Sequence, residues 1–300
     1  MNLDDIKQAL LDSYERDGGI NHLDGVNLPT QDSVQQLASD YMHLIFPGFF
    51  EATGLTKHDV PLLVEDLLRR VELRLKTEIE KSLRFSKAAD PAKRAQELTI
   101  ATLDKLPELR KIIKTDVDAA FAGDPAAGSI EEIILAYPCV LSISLQRFAH
   151  VLYTLGVPLL PRMLTEYGHE RTGSDLHPGA KIGTHFFIDH GTGVVIGETS
   201  EIGSHVKLYQ GVALIARSTS GGQALKGQKR HPSIEDRVTV YASTTIMGGD
   251  TVIGAGSTIG GNVFVTQSVP QRSLVLVQEQ SLKVLSKDHR ESADAPDWVI

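Results

Sequence analysis

Residues 175–212 read DLHPGAKIGTHFFIDHGTGVVIGETSEIGSHVKLYQGV, and an aliphatic side chain recurs in this segment at almost every sixth position. The repeated positions are Leu176, Ile182, Ile188, Val194, Val206 and Val212, with Ser200 in the one weak slot. A period of six fits neither the turn of an α-helix nor the alternation of an ordinary strand. It is typical of a parallel β-helix, in which each hexapeptide forms one short strand and one corner and points its aliphatic residue into the coil.

The same period returns farther along the chain after an interruption. The second run comprises Ile234, Val240, Ile246, Val252 and Phe264, with Thr258 in its weak slot. The interval from Val212 to Ile234 is not a multiple of six, so the two runs are out of phase. We therefore expect residues 213–232, which contain the sequence Ser218-Thr219-Ser220-Gly221-Gly222, to form an exposed loop. Three hexapeptides close one triangular coil, so about a dozen of them predict roughly four coils.

Residues 1–173 have the pattern of a helical region, with apolar side chains at helical spacing between Val60 and Ile79. Further helix starts are predicted at Asp90-Pro91, Pro107, Ser129 with Glu132, Pro138 and Pro158, and one helix end at Gly156. Residues 174–300 hold 16 of the 26 glycines, so the domain boundary is placed near Gly173. The predicted fold is α+β, with a helical domain (1–173), a β-helix domain (174–283) and a C-terminal tail (284–300).

Composition narrows the class of protein. The 300 residues carry a formal net charge of −8, which argues against a general nucleic-acid binder. The single cysteine, Cys139, excludes an intrachain disulfide and a cysteine-based zinc site. The acidic start, Met1-Asn2-Leu3-Asp4-Asp5, does not resemble a signal peptide, and no apolar run approaches the roughly 18 residues of a membrane span. We expect a cytoplasmic protein that contacts no membrane.

Three segments carry a resemblance to a known family. They are Asp175–Gly183, the run Ile188–Thr199 with its Asp-His-Gly-Thr-Gly sequence, and Lys229-Arg230-His231-Pro232. Together they closely resemble serine O-acetyltransferase, and the resemblance reaches back to Gly123-Asp124-Pro125-Ala126. It implies acetyl transfer from acetyl-CoA to the hydroxyl of L-serine, as a step in cysteine synthesis. It also implies a left-handed β-helix, an exception to the usual right-handed crossover.

A hydroxyl that attacks a thioester must lose its proton, and at neutral pH a histidine is the natural general base. The resemblance assigns that role to His190 and gives it Asp175 as the carboxylate that fixes the ring tautomer. Their separation in the sequence is less than one coil of three hexapeptides, so the two can lie on neighbouring coils.

Serine is a zwitterion, so its site needs both signs of charge. The guanidinium of Arg230 can bind the substrate carboxylate in a bidentate manner. By resemblance, Asp189 and Asp124 bind the ammonium group and His231 belongs to the same substrate site. No enzyme nucleophile is needed for direct transfer.

The cofactor contacts implied by the resemblance are Ala242, Gly260 and Gly261, along which the pantetheine arm of acetyl-CoA lies; no metal is implied. Residues 213–237 carry five basic and two acidic side chains, which can attract the polyanionic cofactor despite the acidic net charge. Two departures from the family pattern, Ile215-Ala216-Arg217 and Ser257, fall among the expected cofactor contacts.

The resemblance also implies an assembly and partners. The expected assembly is a homotrimer, or a dimer of trimers joined by the helical domain, with each active site between two subunits. L-cysteine is the expected feedback inhibitor. The tail ends Asp297-Trp298-Val299-Ile300, which resembles the segment that family members insert into O-acetylserine sulfhydrylase with a terminal isoleucine as anchor.

Three other functions stay open from the residues. The first is O-acetylation of a sugar or antibiotic hydroxyl on the same scaffold. The second is a γ-class carbonic anhydrase, which needs three histidines around zinc and would draw on His185, His190, His205 and His231. The third is a non-catalytic scaffold that regulates the sulfhydrylase, against which the presence of Asp175 and His190 argues.

Overall fold

The computed structural model describes residues 2–277, and helices fill its first part up to Thr172. The helices of this part are α1 Leu3–Arg16, α2 Gln31–Ile45, α3 Val60–Phe85, α4 Pro91–Leu103, α5 Leu106–Gly123, α6 Ile130–Ala136, α7 Pro138–Thr154 and α8 Leu160–Thr172. No single helix of residues 2–277 has the length and apolar content needed to cross a membrane. Helices α6 and α7 have that length and apolar content only when taken together, and the pair is bent by 74°.

Most of the predicted helix ends are confirmed, and their caps explain them. The Asp90 side chain accepts the Lys93 N–H at the start of α4, and the Ser129 hydroxyl accepts the Glu132 N–H at the start of α6. The start predicted at Pro158 is wrong, because α8 begins at Leu160. Leu159, at φ 59° and ψ −60°, has a non-helical backbone that keeps Pro158 outside the helix.

Short strands fill the chain from residue 175 onward. They are β1 Asp175–Leu176, β2 Lys181–Ile182, β3 Phe187–Ile188, β4 Val195–Ile196, β5 Glu201–Ile202, β6 Lys207–Leu208, β7 Ala213–Ile215, β8 Ser233–Ile234, β9 Thr239–Val240, β10 Thr245–Met247, β11 Val252–Ile253, β12 Thr258–Ile259, β13 Phe264–Val265 and β14 Leu274–Val275.

Every pairing between these strands is parallel, and the strands stack into three sheets. Face A has the order β1-β4-β7-β10-β13, face B has β2-β5-β8-β11, and face C has β3-β6-β9-β12-β14. The left-handed parallel β-helix is confirmed, with about four coils. We name its edges by the faces they join: the C–A edge, the A–B edge and the B–C edge.

The six-residue register is not continuous, which corrects the sequence interpretation. Asp175 pairs with Val195, and Val195 pairs with Ala213, so the first coil is longer than the next by two residues. The extra residues enter at the corner after β3, where Gly191 and Gly193 have φ of 85° and 76°. The strand residue that points inward after this corner is therefore Ile196 rather than Val194, which is buried at the corner instead.

A second shift, by a single residue, follows β10, where Thr245 pairs with Phe264 rather than with Val263. Phe264, expected to point inward, is 63% exposed, and Val265 is buried in its place. The predicted loop also begins later than expected, because Ala213–Ile215 is strand β7 and a short 3₁₀ turn, Gly222–Leu225, lies inside the loop.

The helical part and the β-helix share one apolar core, and a buried ion pair links them. Arg147 of α7 binds Asp116 of α5, with Nε 2.6 Å from Oδ2, and also donates to the carbonyl oxygens of Ile182 and Gly183. Asp116 accepts the backbone N–H of Phe186 at 2.9 Å. Helix α5 is thereby fixed against the first coil, with its C-terminal end directed along face C.

Candidate active site

His190 occupies the two-residue insertion at the C–A edge. Its backbone has a φ of 61°, which is uncommon for a residue other than glycine, and its side chain is 68% exposed. The Ser174 hydroxyl donates to the Gly191 carbonyl at 2.8 Å and ties the corner to the chain that enters β1. A methyl group on Gly191 would lie 2.8 Å from that hydroxyl. The insertion therefore projects the imidazole outward from the coil.

Asp189 lies next to the His190 ring, with Oδ1 3.7 Å from Nε2. The Asp189 side chain is nearly buried, and its second oxygen, Oδ2, is 3.5 Å from Nζ of Lys207. Lys207 begins strand β6 and stands outside the motifs that the sequence singles out. Nothing in the local pattern marks it, because an outward lysine at the start of a strand also occurs at Lys181.

Asp124 reaches the same corner from the helical part, directly after the last residue of α5. Its carboxylate accepts hydrogen bonds from the Tyr137 hydroxyl and from the Ala126 N–H. These bonds, the one from Tyr137 first, lower the pKa of Asp124, with Lys207 and His190 adding to the effect. The same bond raises the pKa of Tyr137 to about 12, so Tyr137 stays a donor. The structure thus brings Asp124, Asp189 and His190 together.

Asp175 is placed differently from its expected role. It begins strand β1, and its carboxylate is held by Arg162 of α8, with Nη1 2.9 Å from Oδ1 and Nη2 3.4 Å from Oδ2. Among the hydrogen bonds of residues 2–277, none joins Asp175 to the His190 ring. The carboxylate beside that ring is Asp189.

Arg230 and His231 lie at the A–B edge, where the long loop rejoins the coil. The Arg230 guanidinium binds the Glu198 carboxylate, which also accepts the Tyr153 hydroxyl at 2.7 Å. His231 is 8% exposed, and its Nδ1 accepts the Thr199 N–H at 3.1 Å. Burial lowers the pKa of His231 to about 4, so this ring is neutral at pH 7.

The expected acceptor site is therefore divided between two edges of one chain. Residues 194–197 run between them, with strand β4, Val195–Ile196, at the centre. Four residues at about 3.3 Å each span roughly 13 Å. Within a single chain, the carboxylates and the His190 imidazole stand at one end of this strand, and Arg230 with His231 stand at the other.

The three cofactor candidates line up on the His190 edge. Ala242 is at the corner after β9, and Gly260 and Gly261 are at the corner after β12. The Asn262 N–H donates to the Ala242 carbonyl at 2.9 Å, which joins the two corners directly. With coils about 4.8 Å apart, the corner of His190 and that of Gly261 are separated by roughly 14 Å.

Two tyrosines that the sequence interpretation missed lie on this line. Tyr209 and Tyr241 stack at the two corners between His190 and Gly260, with ring centroids 4.9 Å apart and an interplanar angle of 16°. The long loop lies between the two tyrosines in the sequence and hides their juxtaposition. They form an aromatic surface between the imidazole and the glycine corners.

Three of the five basic side chains between residues 213 and 237 have acidic partners. Arg217 pairs with Asp250 at 3.3 Å, Lys229 lies 3.7 Å from Glu201, and Arg230 binds Glu198. Acidic partners from neighbouring corners thus offset the local positive charge that the sequence predicts.

The four histidines of the carbonic anhydrase alternative fall on three different edges. His185 and His205 stack at the B–C edge with centroids 4.1 Å apart, whereas His190 is at the C–A edge and His231 is at the A–B edge. One chain does not bring three of them to a single ion.

A separate group of possible metal ligands lies on α8 and β1. The described residues place Glu166, His169 and Asp175 close together. Arg162 already binds the two carboxylates of this group, those of Glu166 and Asp175. The guanidinium supplies the positive charge that a metal ion would otherwise bring.

Sequence comparison matches the chain to serine acetyltransferases. No family model matches the chain. The protein named "Serine acetyltransferase, plasmid" from Synechococcus elongatus is 44% identical over 260 residues, which cover 83% of this chain and 81% of that protein. The serine acetyltransferase of Bacillus licheniformis is 42% identical over 194 residues, 63% of this chain and 86% of that protein.

Solved structures agree with the sequence matches. Serine acetyltransferase isoform 3 from Entamoeba histolytica, in complex with cysteine, has a TM-score of 0.74 and 33% identity, and the match covers 94% of both chains. The Neisseria gonorrhoeae serine acetyltransferase in complex with serine has a TM-score of 0.55 and 25% identity, with 86% of this chain and 98% of that chain covered.

Proposed function

The chain belongs to the serine acetyltransferase family, and on that premise we propose that it transfers the acetyl group of acetyl-CoA to L-serine with His190 as general base. One observation carries the proposal: an exposed imidazole stands beside two carboxylates that come from different parts of the chain. Asp189 reaches the corner from the β-helix and Asp124 from the end of α5. This arrangement offers a base for the hydroxyl and two acceptors for the ammonium group of one small zwitterion.

The reaction is a direct transfer. Asp124 and Asp189 hold the serine ammonium so that its hydroxyl faces His190. The imidazole removes the hydroxyl proton as the oxygen attacks the thioester carbonyl. The tetrahedral intermediate collapses, its C–S bond breaks, and the imidazolium returns the proton to the CoA sulfur. Cys139 takes no part, because it is 3% exposed and burial raises its pKa to about 12.

Asp175 is the proposed partner of the imidazolium, although Arg162 holds its carboxylate in the free chain. The Ser174–Gly191 hydrogen bond keeps the start of β1 beside the His190 corner. A shift of Asp175 from Arg162 to the ring would stabilise the imidazolium that forms in the reaction. The expected signature of this role is a lower kcat for Asp175→Asn with little change in either KM.

Arg230 and His231 belong to the same site through a second copy of the chain. Each chain presents one C–A edge with the base and one A–B edge with the guanidinium, about 13 Å apart across β4. A cyclic contact between these unlike edges closes into a ring, and a trimer would hold three complete sites. Pairing of two such trimers through the helical part is the larger alternative.

The acetyl-CoA arm is proposed to follow the C–A edge from Gly260 and Gly261 past Ala242 to His190. At these glycines a side chain would crowd neighbouring backbone, since a methyl group on Gly260 would lie 3.0 Å from the Val275 carbonyl. The close backbone packing leaves a smooth edge against which an extended pantetheine chain fits.

L-cysteine is the proposed inhibitor, because it keeps the charges of serine and replaces the hydroxyl with a thiol; the Entamoeba histolytica structure contains cysteine. O-acetylserine sulfhydrylase is the proposed protein partner. The residue of this chain proposed to contact it, Ile300, lies outside the described residues. The proposal rests on the terminal sequence alone.

The deciding experiment follows thiol release from acetyl-CoA with L-serine and with a panel of sugar and antibiotic hydroxyl acceptors. Serine-dependent release that falls by about 10²–10⁴ in His190→Ala supports the acetyltransferase and its base together. Release with another acceptor alone would keep the chemistry and discard serine as substrate. No thiol release with any acceptor would favour the non-catalytic scaffold.

A further inference from the structure

Lys207 stands where the helical part and the β-helix meet beside His190. Its Nζ donates to the Gly123 carbonyl at 2.6 Å and lies 3.5 Å from Oδ2 of Asp189. Gly123 is the last residue of α5, and the next residue is Asp124. One ammonium group therefore touches both elements that deliver the acceptor carboxylates.

The surroundings hold this ammonium in place. Its Nζ is 5.0 Å from the ring centroid of Phe187 and 4.6 Å from that of Tyr209, within the range of cation–π attraction. The lysine side chain is 20% exposed. With most of its side chain buried, the ammonium has little room to leave these partners.

The C-terminal end of α5 packs closely enough on face C for its last carbonyl to meet Lys207. A methyl group on Gly123 would lie 2.9 Å from the Phe187 ring, so a glycine allows this last turn to rest on face C. The C-terminal carbonyls of a helix carry partial negative charge, and a cation there stabilises the helix end. Lys207 thus satisfies the Gly123 carbonyl across 84 sequence positions.

We propose that Lys207 is a positioning residue that sets the distance between Asp124 and Asp189 so that both bind one serine ammonium. The inference rests on the proposed function. Two carboxylates at one small site repel each other, and a lysine between their supports offsets that repulsion. Without it, the Asp124 segment loses its tie to the β-helix and serine binding weakens, while the proposed acetyl-CoA contacts at Ala242, Gly260 and Gly261 lie on later coils.

The test is Lys207→Met, which keeps the length and apolar stem and removes the charge. The matched control is Lys181→Met, since Lys181 begins β2 in the same way but pairs with Glu201, at 2.9 Å, on an exposed face. We expect the KM and calorimetric Kd for serine to rise about tenfold, which corresponds to about 1.4 kcal/mol. The KM for acetyl-CoA should stay within about twofold, and Lys207→Arg should restore most of the serine affinity.

Three outcomes overturn the inference: an unchanged serine KM in folded Lys207→Met, an equal rise in both KM values, or the same effect in Lys181→Met. If Lys207→Met does not fold, Lys207→Gln keeps a donor for Gly123 without the charge and decides the same question. Serine binding by calorimetry needs no turnover. A wild-type protein that binds serine without releasing CoA would therefore contradict the proposed activity and still test Lys207.

Discussion

His190 and Arg230 stand at opposite ends of strand β4, one at the C–A edge and the other at the A–B edge. Both belong to the proposed serine site, and the strand between them is paired on both sides, with β1 and β7. Within one chain, the Arg230 guanidinium binds Glu198 at its own edge. If both residues bind one serine, the proposed site must lie between two copies of the chain.

Mixing two inactive variants tests this arrangement. His190→Ala supplies an intact A–B edge and Arg230→Ala an intact C–A edge. If the site lies between copies, unfolding and refolding the two variants together in equal amounts should restore about a quarter of the wild-type sites. In a random mixture, about one contact in four joins an intact C–A edge of one copy to an intact A–B edge of another. Each variant refolded alone is the control. Activity that stays at the level of the separate variants would place the whole site in one chain.

Tyr241 is predicted to act on the cofactor and not on the acceptor. It stacks on Tyr209 along the line from His190 to Gly260 and is 43% exposed. Tyr241→Ala should raise the KM for acetyl-CoA by about three- to tenfold, the range of one aromatic contact, and leave the KM for serine unchanged. Tyr14→Ala, at a tyrosine 47% exposed on α1, is the control. An effect on serine alone would show that the aromatic pair belongs to the acceptor side.

Because His231 is buried, the free energy of unfolding is predicted to depend on pH. Burial lowers its folded-state pKa from 6.5 to about 4, so the folded protein resists protonation of a ring that the unfolded chain protonates readily. The stabilisation is complete above pH 6.5 and is lost as the pH falls toward 4. The loss at the acid end is about 2–3 kcal/mol. Urea unfolding of wild type between pH 7 and 4.5 should show this decline.

The comparison variant is His231→Asn, whose side-chain oxygen can accept the Thr199 N–H in place of Nδ1. Its free energy of unfolding should fall less over the same interval, because asparagine does not titrate. Equal slopes for the two proteins would mean that His231 is protonated as easily in the folded state as in the unfolded chain.

Removal of Ile300 tests the proposed protein partner. Truncation should leave the rate of acetyl transfer within about twofold of wild type and abolish co-elution with O-acetylserine sulfhydrylase, since the captured group is the terminal side chain with its carboxylate. Ile300→Val, which keeps a branched terminus, is the control. Continued co-elution of the truncated protein would assign the contact to another surface.

Several helix ends were predictable because their causes lie within a few residues. Asp90 caps α4 through Lys93, three positions away, and Ser129 caps α6 in the same manner. Leu159 shows the limit of such local signals. Its left-handed φ moves the start of α8 past Pro158, and a leucine carries no sequence signal for that conformation.

Sequence by itself determined the β-helix, since a six-residue period can bury its aliphatic side chains only in a coil of short parallel strands. It also determined the family, and with it the residues expected around serine. The tertiary structure decided where the period breaks, which edge each of those residues occupies, and that Lys207 joins Gly123 and Asp189. These features depend on residues inserted at corners and on contacts between positions as far apart as 84 residues, and a periodic pattern records only which side chains are buried.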